Sequence, residues 1–65
     1  DGGAAAADYI LNHPGALALV EEREEIAFRA QLGTQDVQEL ARIEGINYSR
    51  GKPVTLRLYK AGAAP

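Results

Sequence analysis

Ala16-Leu17-Ala18-Leu19-Val20 is the stretch on which the fold turns. These apolar residues lead into the charged run Glu21-Glu22-Arg23-Glu24-Glu25, and they admit two readings. As helix, they belong to an amphipathic segment running from Pro14 to Leu32. As a short buried strand, they stop where a helix begins at Glu21. Alanine and leucine are good helix formers and weak strand formers. Pro14 suits a first helical position, where its missing N–H costs nothing. The helical reading gathers Leu19, Ile26 and Ala30 on one face, joined by Ala16 and Ala27, with Glu22, Glu25 and Arg29 opposite. Helix is the preferred reading, with the strand kept as the alternative.

Before this stretch, Ala4 to Leu11 forms a short helix carrying Tyr9, Ile10 and Leu11. Pro14 disfavours helix at His13, so the element stops near Asn12. Asp1-Gly2-Gly3 is expected to fray. After it, Gly33 is a natural helix stop. Thr34 is a good N-cap, and a further helix is expected from Gln35 to Glu44, with Val37, Leu40, Ala41 and Ile43 on its inner side. Gly45 ends it and Ile46 folds back on the last turn. Asn47 to Pro53 reads as a polar loop.

Val54-Thr55-Leu56-Arg57-Leu58-Tyr59-Lys60 is the clearest strand signal in the chain. Val54, Leu56 and Leu58 point one way; Thr55, Arg57 and Tyr59 point the other. A strand cannot satisfy its own backbone groups. Its partner is either residues 16–20, or another copy of the chain, or another protein. The predicted fold is therefore mainly α: two to three helices with a C-terminal strand, becoming α+β if residues 16–20 are a strand. The expected apolar positions are Tyr9, Ile10, Leu19, Ile26, Ala30, Val37, Leu40, Ile46, Val54, Leu56 and Leu58.

At 65 residues the chain makes a single small domain, with 1–3 and 61–65 expected to be loose. It has no cysteine and one histidine, His13, which leaves no disulfide framework and no zinc site of the usual Cys/His type. Small secreted domains without disulfides are uncommon, so an intracellular, cytoplasmic home is expected. No apolar run approaches the roughly 18 residues of a membrane span. Asp1 to Ala7 lacks the basic start and long apolar centre of a signal peptide. The chain has no methionine, which suggests processing or excision from a longer protein.

Charge is unevenly spread. Residues 1–41 hold eight acids and two bases, and residues 42–65 hold five bases and one acid. Such asymmetry points either to a polar contact surface or to attraction between the two halves within the fold.

Thr34-Gln-Asp-Val-Gln-Glu-Leu-Ala-Arg-Ile-Glu-Gly-Ile-Asn47 resembles the first helix and turn of helix-turn-helix DNA-binding proteins, with Ala41 and Gly45 at the matching spacing. The resemblance implies a recognition helix starting near Asn47, where Gly51 and Pro53 interrupt it. A basic loop and strand acting as a wing would place Arg42, Asn47, Arg50, Lys52, Arg57 and Lys60 against nucleic acid. A sequence pI of about 5.2 runs against that reading. Glu24-Glu25-Ile26-Ala27-Phe28-Arg29 is similar to the C-terminal helical part of sugar-phosphate nucleotidyltransferases of the thymidylyl type. That likeness implies subunit packing and no active-site residues, and it is not adopted.

Gly45 to Pro53 misses a phosphate-binding loop. Five residues separate its glycines where four are needed, and Pro53 stands where Ser or Thr should bind magnesium. Glu21, Glu22, Glu24 and Glu25 lack the loop of a calcium site and read as a solvated helix face. His13 has no nucleophile nearby and reads as structural. No catalytic residue, cofactor or metal is expected, and the chain is not read as an enzyme. The leading expectation is a non-catalytic protein–protein interaction or assembly module. In it, strand 54–60 pairs in an interface formed by Val54, Leu56, Leu58 and Tyr59. The expected partner is the chain itself or a larger protein; nucleic acid is the alternative and membrane is excluded.

Overall fold

The structure, a computed structural model, describes residues 2–47, 49 and 51–62. Asp1 and residues 63–65, expected to be loose, lie outside the described residues. The first element is the expected helix, α1 (Gly2–Asn12), which buries Gly3, Ala7 and Ile10 at the spacing of one helical stripe. Two side chains close its C-terminus. Asn12 Nδ2 donates to Asp8 O at 2.8 Å, and His13 Nδ1 lies 2.8 Å from Tyr9 O. The His13 ring stacks on Tyr9 at 4.2 Å. Gly2 and Gly3, expected to fray, are helical, and Gly3 is buried. The reason is a contact no local rule reveals: the Gly3 N–H donates to Glu24 Oε2 at 3.2 Å, satisfying one of the free donors of the helix start.

The decisive stretch is a strand. β1 (Leu17–Glu21) alternates, with Ala18 and Val20 buried and Leu17 and Leu19 exposed. A short 3-10 turn (Glu22–Glu24) follows, and then α2 (Glu25–Leu32), which Gly33 ends at a φ of 63°. With residues 16–20 removed from the helix, its inner face changes. Phe28 and Leu32, four residues apart, are buried, while Ile26 is 85% exposed. The expected inner face of Leu19, Ile26 and Ala30 belongs to a helix that includes residues 16–20, and the strand at β1 overturns it.

The expected helix over 35–44 is also absent. Val37 onward lies in β2 (Val37–Asn47), which pairs along its length with β3 (Lys52–Ala61). Gln, Glu, Leu, Ala and Arg supply helix propensity, but β3 has two edges to satisfy and β1 covers part of only one. Pairing along β3 outweighs local preference. A register shift between Glu39 and Ala41 marks a bulge in β2.

The sheet is antiparallel with order β1-β3-β2. The strand expected at 54–60 thus sits at the centre, paired with β2 along its length and with β1 over residues 56–60. Ala61, expected to be loose, is part of β3, and the Gly62 N–H donates to Asp36 O at 2.9 Å. The chain is α+β with more sheet than helix, not mainly α. Both helices pack on one face of the sheet. The core between the layers is Ala7, Ile10, Ala18, Val20, Phe28, Leu32 and Tyr59, with the Phe28 and Tyr59 rings stacked at 4.8 Å. Among the described residues, no helix is long and apolar enough to cross a membrane.

Candidate functional site

Paired residues in a sheet share a face, so the register sorts the side chains into two sets. Towards the helices point Ala18, Tyr59 and Glu39 in one row, and Val20, Arg57 and Arg42 in the next. Away from them point Leu19, Leu58 and Ala41, then Glu21, Leu56 and Ile43. The bulge carries out the switch in β2, since it moves Ala41 and Ile43 onto the same face as Leu58 and Leu56.

Among the described residues, no element lies upon this second face. Leu17 is 47% exposed, Leu19 53% and Ile43 45%, while Val54, Leu56 and Leu58 are half-buried between them. The apolar trio of β3 therefore lies on the outer side of the sheet. The core is served by the other side, through Tyr59. Of the four residues expected at an interface, Val54, Leu56 and Leu58 are placed on one open surface. Tyr59 is corrected: it is fully buried beneath the helices.

On the helix side, Tyr59 anchors a polar cluster. Its hydroxyl donates to Glu25 Oε1 in a short hydrogen bond and accepts one from Arg29 Nη2 at 3.4 Å. The Arg29 guanidinium also lies 5.2 Å from the Tyr59 ring centroid, a cation–π distance. Arg57 reaches three carboxylates: Glu39 at 3.4 Å and Glu22 and Glu25 at 3.8 Å. Glu25 Oε2 is buried with no hydrogen-bond partner among the described residues.

Burial pushes the Tyr59 phenol above its ordinary 10.0, and the Glu25 carboxylate pushes the same way, against an opposing pull from Arg29. Tyr59 is accordingly held as a neutral donor, unsuited to acting as a base. A phenol whose folded pKa is raised stabilises the fold fully below pH 10 and loses that contribution as pH rises through the folded value. The expected result is a fall in melting temperature above pH 10 that is smaller in Tyr59→Phe than in the wild type. That variant should also lose about 1–3 kcal/mol at neutral pH, the scale of a hydrogen bond to a charged group.

The four clustered glutamates do not share one site. Glu21 pairs with Arg23 at 3.2 Å and Glu24 with the start of α1, while Glu22 and Glu25 both reach Arg57 and Glu25 also holds Tyr59. No group of three or more His, Cys, Asp or Glu is placed to hold a metal ion among the described residues. Where β1 ends at Glu21 and β3 runs on to Lys52, a cleft of about 490 Å³ opens between Glu21-Glu22-Arg23 and Lys52 to Thr55. It contains neither His13 nor Tyr59.

The residues expected on nucleic acid do not form one stripe. Arg57 is held among carboxylates on the helix side, and Arg42 lies on that side with Glu44 at 3.6 Å. Lys60 belongs to the opposite face, and Lys52 lines the cleft. Arg50 and the side chain of Asn47 lie outside the described residues. The helix that a helix-turn-helix needs over 35–44 is replaced by strand β2. Leu17, Leu19, Ala41 and Ile43 share the open face, and sequence reasoning does not single them out as interface residues. The alternation of Leu17 and Leu19 against Ala18 and Val20 is the signal that could have found the first two. Comparison with known protein families, with curated proteins and with solved structures finds no match to this chain.

Proposed function

We propose that the chain is a non-catalytic assembly module, and that the open face of its sheet is the surface it buries against the same face of another copy. The observation that supports this is the uncovered apolar row set across three strands: Leu17 and Leu19 on β1, Val54, Leu56 and Leu58 on β3, and Ala41 and Ile43 on β2. Antiparallel sheets with one wet face usually carry polar residues there. Here leucine, isoleucine and valine occupy its middle, with Glu21 and Lys60 at its margins. Two such faces pack about 10 Å apart as a sandwich with the helices outside. In this reading β3 contributes to the interface through its side chains, because β2 pairs along one of its edges and β1 covers residues 56–60 of the other. The paired states of Arg42 and Arg57 favour assembly over phosphate contact. An intracellular home belongs to the same reading, on the ground that small secreted domains are commonly stapled by disulfides and this sequence has no cysteine.

Leu19→Glu tests the face. The site is half exposed, so a folded chain tolerates the charge, whereas a buried interface does not. Sedimentation equilibrium is expected to show the variant at half the wild-type mass, with its thermal transition retained. Equal masses for the two proteins would overturn the reading.

A further inference from the structure

β2 lies at an edge of the sheet, and residues 41–46 along it are all exposed. From Val37 to Asn47 it contains no proline and no lysine, two residues that blunt an edge against pairing, and its charges are Glu39, Arg42 and Glu44, of both signs. The bulge at Glu39/Ala41 spoils only its beginning. Beyond it a regular row of backbone groups faces outward, on the side away from β3. The other edge, β1, is five residues long.

We infer that two copies of the chain join through their β2 edges, antiparallel, with Ile43 opposite Ile43 of the second copy. The inference rests on reading the chain as an assembly module and names how its sheets are joined. A two-fold axis perpendicular to the sheet keeps both helical layers on the same side. Opposite residues must then share a face, so a slip of one residue is forbidden, because it would turn the apolar set over.

The neighbouring allowed registers place Arg42 opposite Arg42, or Glu44 opposite Glu44, and like charges facing each other are destabilising. Only the register centred on Ile43 sets Arg42 opposite Glu44 on both sides of the axis, with Ala41 opposite Gly45 beyond. This also answers a feature within the chain. Arg42 already stands directly opposite Arg57 on β3, a like-charge pair, and its own Glu44 is 3.6 Å away. A second Glu44 on its outer flank adds further negative charge where two guanidinium groups meet.

Area points the same way. Three strands at the usual spacing and rise present roughly 400 Å² of open face, about half of the roughly 800 Å² per partner buried in a stable interface. Edge pairing makes one six-stranded sheet, ordered β1-β3-β2-β2-β3-β1, and doubles the face to the size that stacking requires. Edges and faces together close a four-chain assembly of two-fold symmetries.

Charge exchange tests the register. Arg42→Glu leaves acids at both positions of the edge, and Glu44→Arg leaves bases at both. Each variant alone should sediment as a single chain, a quarter of the wild-type mass at equal concentration, because the face of one unpaired sheet is too small to stack, with its far-UV spectrum and thermal transition retained. An equimolar mixture of the two variants should regain the wild-type mass. In the mixed pair, the acids of the Arg42→Glu chain face the bases of the Glu44→Arg chain on both sides of the axis. Wild-type mass for each variant alone would overturn the inference, as would a mixture no heavier than its components. Neither residue lies on the open face, so this failure is separate from that of the face itself, which Leu19→Glu reports.

Discussion

Phe28→Ala is expected to leave the domain largely unfolded at room temperature. Phe28 is completely buried, stacks on Tyr59 at 4.8 Å, and belongs to a core of only seven of the described residues. Truncating a buried phenylalanine costs about 3–5 kcal/mol, combining lost transfer energy with the cavity left behind. A chain of this length has about 3–10 kcal/mol of stability in total. The cavity cannot close easily, because Phe28 packs where α2, α1 and the centre of the sheet meet. The measurement is a far-UV circular dichroism melt at fixed concentration, where the variant should lack the wild-type transition. Ile26→Ala, at a site 85% exposed on the same helix, should stay within about 0.5 kcal/mol of wild type. The contrast between the two checks the phase of α2 directly.

Gly3→Ala should destabilise the domain by about 1–3 kcal/mol, although alanine is the better helix former. A Cβ at position 3 would stand 2.5 Å from Glu24 O and 2.9 Å from Phe28 N. Both are backbone atoms and cannot turn aside, so α1 must move away from α2 and lose the Gly3 N–H bond to Glu24. Gly2→Ala is the matched control. Its Cβ would meet only Glu24 Cδ at 3.9 Å, an ordinary contact, so the propensity gain should appear unopposed. For a domain of this size 1 kcal/mol moves the melting temperature by about 4–8 °C. The two neighbouring glycines should therefore separate in opposite directions. A stabilised Gly3→Ala would mean that α1 does not lie against α2 as described.

The elements legible in the sequence are those whose signals are local. Ala4 to Leu11 has the propensity of a helix and Pro14 ends it, and α1 follows. Val54 to Lys60 alternates with period two, and β3 follows. Gly33 stops a helix in sequence and structure alike. The two errors have a common cause. Ala16 to Val20 and Gln35 to Glu44 are rich in helix-forming residues, and strands form in each because β3 lies between them and needs both. That demand is tertiary, and no window centred on either stretch contains it. The need of β3 for a partner points to residues 16–20 as one candidate, but nothing local extends the same demand to its second edge.

The candidate surface is legible in part for the same reason. Alternation alone groups Val54, Leu56 and Leu58 on one side of their strand. Which side faces the core is not readable from β3, where the apolar trio resembles a natural inner face. The answer comes from Tyr59, whose ring meets Phe28 while its hydroxyl reaches Glu25, and from Ala18 and Val20 on the neighbouring strand. Leu17, Leu19 and Ile43 then fall on the outside with the trio. The basic residues group by their closeness in sequence, and the pleat and the carboxylates around Arg57 disperse them.

Sedimentation equilibrium of the unaltered chain over a wide concentration range tests the central claim most directly. A single chain weighs 6.9 kDa. The expected result is a folded species heavier than that at high concentration, approaching four chains and dissociating to two on dilution. A cooperatively folded protein that stays at 6.9 kDa throughout would contradict it, for then the open face and the β2 edge would both remain in water.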